Sequence, residues 1–177
     1  MPTIELSTVI YAPPERVFDL ARSIDAHQDS TGVTEERAVA GMTKGLIGLN
    51  DEVTWEARHL GVRQRLTVRV TAFERPKHFQ DIMVSGAFKR MVHDHGFSEH
   101  PQGTLMRDCF EFTSPFGILG AIVNRVFLAA YLRRFLVRRN EVLKHLAESE
   151  EWRRYLEHTQ PEPCSASSER RAGRGNS

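Results

Sequence analysis

The sequence predicts an α+β fold: a curved antiparallel sheet of about seven strands around one long C-terminal helix, with two short helices after the first strand. Three observations predict it. Apolar and polar residues alternate with period two through most of residues 35–113. Helix-forming sequence is confined to residues 13–30 and to a long stretch ending near Glu148. Strands clustered apart from helices exclude a parallel α/β sheet, and the apolar face of such a sheet needs the apolar stripe of the helix for burial.

Each element has a local reason. TIELSTVIY, residues 3–11, mixes alternating and β-branched residues and reads as a strand. In APPERVFDLARSID, Pro13 and Pro14 suit a helix start, Glu15 favours the positive end of the helix dipole, and Val17, Phe18 and Ala21 form one apolar face. A second short helix follows over Asp25–Ser30. EERAVAG and LNDEVTWEARHL read as strands, the latter with Val53, Trp55 and Ala57 on one side. VRQRLTVRVTAFERP alternates most cleanly; Gly61 marks the hairpin before it and Pro76 ends it. HFQDIMVS, a strand at about 87–99 and another at about 104–113 complete the sheet, with HPQG as the last turn. Ser114-Pro115 stops the sheet, and the following sequence is rich in Leu, Ala, Arg and Glu with no internal proline to Glu148. Arg133, Arg134, Arg138 and Arg139 read as a solvated face of that helix. Residues 151–177 form a polar C-terminal tail, expected to be disordered beyond about residue 158.

At 177 residues, with 40% apolar and 27% charged residues, one domain can bury a core without disulfides or structural metal. A net charge of +1 predicts no nucleic-acid partner. Cys109 in a strand and Cys164 in the tail make no disulfide framework, so a reducing, cytoplasmic setting is expected. MPTIELSTVIY lacks the basic and apolar regions of a signal peptide. FGILGAIVNRVFLAAYL, residues 116–132, is short for a membrane span and carries Asn124 and Arg125 at its centre. No transmembrane span is expected, although the basic, aromatic WRRYLEH segment leaves transient membrane contact open.

VIYAPPERVFDLARSID, VTWEARHLGVRQRLTVRVTAFERPKHFQD and FKRMVHDHGFSEHPQGTLMRDCFEFTSPFG, in that order before the long helix, resemble the SRPBCC superfamily. Its helix-grip fold is shared by START lipid-transfer domains, the birch-pollen allergen and its plant relatives, aromatic polyketide cyclases and coenzyme Q-binding proteins. Ala-Pro-x-Glu-x-Val-Phe followed by Gly-Thr-x-x-x-Asp and Pro-x-Gly is similar to the bacterial polyketide cyclase/dehydrase-like branch. The resemblance implies a ligand-binding domain over residues 1–150 with a cavity between sheet and helix. Its ligand would be an apolar or amphipathic molecule such as a lipid, quinone or polyketide. No cofactor is expected, and the chain would be a monomer or homodimer.

MVHDHGFSEH places three histidines in ten positions. On a strand, Met91, His93, His95 and Phe97 share one face. On the next, Met106, Asp108, Phe110 and Phe112 share a face, leaving Asp108 as a carboxylate among apolar groups that needs a partner. His93 or His95 is the natural one, with His59, Trp55 and Asp81 as further candidates. The set admits four readings. It can orient the polar head of an apolar ligand. It can serve as a His–Asp acid/base pair of a cyclase, dehydratase or hydrolase, with His93, His95 and Asp108 catalytic. It can bind a metal, although no third ligand stands at a diagnostic spacing, and none is expected. It can be a polar cluster that satisfies itself. The expected wall comprises Trp55, Leu66, Val68, Met83, Met91, Phe97, Phe110 and Phe112, with Ile122, Val126 and Leu132 from the helix, and the entrance lies between the first two helices. An interaction protein with a filled core is the remaining class.

Overall fold

The computed structural model describes residues 2–32, 35–59, 61–113 and 121–157, without the side chains of residues 121–126. Among these the chain runs β1 (Thr3–Ile10), α1 (Pro14–Ala21), α2 (Ile24–Ser30), β2 (Arg37–Gly41), β3 (Glu52–His59), β4 (Val62–Glu74), β5 (His78–Ser85), β6 (Arg90–His100), β7 (Gly103–Thr113) and α3 (Ala121–Glu148). A 3₁₀ turn at Glu150–Trp152 and a one-turn α4 (Arg153–Leu156) follow. The seven strands form one antiparallel sheet in the order β1-β7-β6-β5-β4-β3-β2, so only β1 pairs out of sequence.

The signals at the start of α1 act as expected. Pro13 caps α1 in an extended conformation, Pro14 occupies its first turn, and Val17, Phe18, Leu20 and Ala21 are buried. Ser23 caps α2, its hydroxyl accepting the Ala26 N–H at 3.2 Å. At the β6–β7 turn, Gly103 has φ +138°, and a Cβ there would lie 2.4 Å from the carbonyl oxygen of Ile10. Only glycine lets this turn close against the end of β1.

The core divides along α3. One cluster lies under α1 and the C-terminal half of α3 and includes Val17, Phe18, Phe79, Phe97, Met106, Leu143, Leu146 and Tyr155. Phe18 is fully buried, and its ring meets Phe73, Phe79 and Phe97 edge-on at 5.3, 5.5 and 5.3 Å. Tyr155 shows that residues 151–156, expected to belong to the tail, pack onto the domain; its hydroxyl donates to Asp29 at 2.6 Å. The second cluster lines the concave sheet farther along and includes Val53, Trp55, Val68, Met91, Phe110, Phe112, Leu132 and Leu136. The disorder expected beyond residue 158, and Cys164, fall outside the described residues. Among the described residues no helix is long and apolar enough to cross a membrane.

Phe18→Ala removes the ring that joins α1 to three strands. It is expected to lower stability by about 3–5 kcal/mol in urea unfolding; a loss under about 1 kcal/mol contradicts this account of the α1 end of the core.

Candidate functional site

A cavity of about 460 Å³ lies between the concave sheet and α3, on the second cluster's side. Of the residues expected on its wall, Trp55, Leu66, Val68, Met91, Phe110 and Leu132 are there, with His59, Asp81, His93 and His95. Several expectations need correction. Phe97 belongs to the other cluster, where α1 covers the sheet and leaves no space. Phe112 is sealed beneath Phe88 and Phe110, at centroid distances of 5.6 and 5.9 Å. Met83 packs against the edge of the cluster rather than on the wall. Asp108 stands behind the histidines that do face the cavity. The side chains of Ile122 and Val126 fall outside the described residues.

The entrance also differs. The segment between α1 and α2 is closed: Ser23 is 1% exposed and bridges to Leu46, and Arg22 is held by Asp19 and the Ile47 carbonyl. The exposed wall residues are Val62, Arg65 and Ala87, at the β3–β4 hairpin and the β5–β6 connection. The cavity therefore opens at that end and is closed toward α1.

The closed end holds the predicted cluster. In the β6–β7 register His95 stands opposite Asp108 and His93 opposite Phe110. Nε2 of His93 donates to Asp108 Oδ1 at 3.2 Å, and Nδ1 of His95 donates to the same oxygen at 2.9 Å. Nε2 of His95 donates to Asp81 Oδ1 at 3.0 Å. Phe79 stacks on His95 with ring centroids 4.2 Å apart. The helix adds two residues that sequence reading missed. Asn140 donates to Asp108 Oδ2 at 2.7 Å. Arg139, expected in a solvated face, is 7% exposed, lines the cavity and has its guanidinium 3.9 Å from Asp108 Oδ1. Both occupy positions three and four residues after Leu136, on the stripe that continues to Leu143.

The electrostatics separate the two histidines. Burial opposes a charge on His95, but carboxylates at both ring nitrogens raise its pKa above the ordinary histidine value. Burial, then the adjacent positive His95, push His93 down to about 4. Burial works against ionised Asp108 and Asp81, yet the histidine bonds hold both below the usual carboxylate range. The surroundings of His95 thus favour its imidazolium form, while those of His93 hold it neutral. Nδ1 of His93 has no partner among the described residues. One ligand atom each from Asp81, His93 and His95 lie within 4.8 Å of one another, close enough for a metal ion, which would have to displace the proton on His95.

His59 joins a different group. Buried Glu36 pairs with His27 at 2.7 Å and His59 at 3.5 Å, and His59 Nδ1 bonds to the Tyr131 hydroxyl at 2.9 Å. Burial opposes ionisation of Glu36, but its two histidine partners bring it down to about 2. His27 stacks on Trp55 at 4.1 Å, so Trp55 is both core and wall. Glu36 precedes β2 and His27 lies on α2, so no periodicity linked them to His59. Cys109 lies off the wall, and burial and nearby carboxylates push its thiol pKa up, which makes it a poor nucleophile.

Residues 1–148 match the polyketide cyclase/dehydrase and lipid transport family, a branch of the SRPBCC superfamily, and the chain belongs to it. It matches no curated protein in sequence. Among solved structures it is similar to TTHA0849 from Thermus thermophilus, at 19% identity and TM-score 0.68, covering 81% of this chain and 95% of that one. Protein CV1439 from Chromobacterium violaceum is similar at 13% identity and TM-score 0.62, covering 84% and 99%. The major latex-like protein 151 of Panax ginseng is similar at 12% identity and TM-score 0.61, covering 82% and 97%. These likenesses show the helix-grip fold.

His93 titrates near 6.5 when unfolded and near 4 when folded, so the unfolded state binds more protons between those values. The contribution of His93 to stability is expected to be complete above pH 6.5 and to fall as the pH drops toward 4. Thermal unfolding should show this slope in the wild type and a shallower one in His93→Gln; identical slopes would mean that His93 is not held neutral.

Proposed function

We propose that the chain binds an apolar or amphipathic small molecule, such as a lipid, quinone or polyketide-like compound, in the cavity between sheet and α3. The observation that carries this reading is the cavity itself. Its 460 Å³ fall within the range of small-molecule sites, about 300–1,000 Å³. Its wall is apolar along Val53, Trp55, Val68, Phe110, Leu132 and Leu136, with polar groups gathered at the two ends. A family described by lipid transport as well as cyclase and dehydrase chemistry is consistent with it. So large a space argues against a filled-core interaction protein.

The cyclase or dehydratase alternative draws on the same cluster and is the weaker reading. Both ring nitrogens of His95 are bonded to carboxylates, so it has no free position at which to exchange a proton with a ligand. A His93 pKa of about 4 makes its free nitrogen a weak base at neutral pH. Binding needs neither group to titrate. Cytoplasmic residence belongs to this proposal and rests on cysteine usage.

Native mass spectrometry of protein from its own host should show a co-purifying organic molecule. Val68, buried on the mid-wall, gives the direct test. Val68→Phe should weaken binding of the neutral dye N-phenyl-naphthylamine about tenfold or more, ~1.4 kcal/mol, with little loss of stability because the ring enters existing space. Undiminished dye binding by the folded variant would place the ligand elsewhere.

A further inference from the structure

Arg139 is under-partnered for a buried cation. It is 7% exposed, yet one NH2 donates to the Ala21 carbonyl at 3.4 Å and the nearest carboxylate oxygen is 3.9 Å away, beyond hydrogen-bond distance. A guanidinium carries five N–H donors, and leaving a buried charge without hydrogen bonds is costly. Arg22, on the same wall, is satisfied by Asp19 at 2.8 Å and the Ile47 carbonyl at 3.2 Å. Arg139 lies on the cavity wall with His93, whose Nδ1 is also without a partner among the described residues. Two unused polar groups therefore share the closed end of a mostly apolar space.

We propose that the cavity takes an apolar-chain carboxylic acid head-first, its carboxyl seated on Arg139 beside His93 and its chain running along Leu136 and Leu132 toward the mouth. This rests on the binding function above and names its ligand class. The planar guanidinium fork matches the two oxygens of a carboxylate. Tyr131, bonded to His59 near the open β3–β4 hairpin, is eight residues before Arg139 on α3, which sets the head group about 12 Å along the helix axis from that end. A medium-length chain spans that distance.

Charge also selects the head group. His93 faces His95 on its own strand, Asp108 on β7, Asp81 on β5 and Arg139 on α3. A phosphate monoester, with about −1.5 to −2 charges at pH 7, is a poorer fit beside two carboxylates.

Isothermal titration of the full chain with decanoate, decanol and decyl phosphate at pH 7 tests this. Decanoate should bind at least about tenfold more tightly than decanol, and no less tightly than decyl phosphate. In Arg139→Gln the acid's advantage over the alcohol should disappear. If that variant does not fold, Arg139→Lys, which keeps the charge and loses the fork, should show a reduced advantage. Decanol binding as tightly as decanoate overturns the assignment of Arg139 while leaving the binding function standing. Tighter decyl phosphate overturns the carboxylate class. Binding of none of the three overturns the binding function itself.

Discussion

The rest of the structure is arranged around one buried carboxylate. Asp108 is 2% exposed on β7, where an ionised group must have its lone pairs occupied by donors. His93 and His95 supply one oxygen across the β6–β7 ladder, and Asn140 supplies the other from α3. The bond from Asn140 fixes the height of the helix over the sheet. A slip of one helical turn, about 5.4 Å, would carry Asn140 away and leave Asp108 short of a donor. Apolar contacts alone tolerate such a slip far better, because neighbouring leucines can exchange partners.

Once that point is fixed, the two halves of the interior become different. Toward α1, Phe18, Leu143, Leu146 and Tyr155 fill the space between sheet and helix. On the other side, the sheet presents short side chains at Val53, Ala57, Val68 and Val70, which share the cavity wall with Leu132 and Leu136. The cavity follows from small residues on a curved sheet facing a helix held at a distance. The same asymmetry closes the α1 end and leaves the β3–β4 hairpin end open.

The fold was legible because strand and helix periodicity are local. Alternation along β6 and β7 places His93, His95 and Asp108 on facing sides of one ladder, and an unsatisfied carboxylate there implies their pairing from sequence alone. Arg139 and Asn140 were not legible in the same way, because residue type outweighs position: an arginine among four suggests a solvated face. The spacing from Leu132 and Leu136 to Leu143 puts both on the inward stripe, and that signal is present in the sequence. Glu36 and His27 leave no such trace. One precedes a strand and the other lies on a two-turn helix, and only the curvature of the sheet brings them to His59. The entrance is displaced from its expected place for a related reason: Ser23, in capping α2, also closes the segment between the first two helices.

The polar interior also bears on what the cavity is for. Buried ion clusters can often be replaced by well-packed apolar residues with no loss of stability. Stability therefore does not require two aspartates, two histidines, an asparagine and an arginine between sheet and helix. Part of the cluster has a structural use: Asp81, His95, Asp108 and Asn140 bond to one another and set the helix register. Arg139 and the free nitrogen of His93 stand outside that account. Neither is needed to satisfy Asp108, whose Oδ1 has the ring N–H groups of His93 and His95 and whose Oδ2 has Asn140, and both border empty space. A group that adds cost to the folded state and contributes little to its own network has its partner outside the chain.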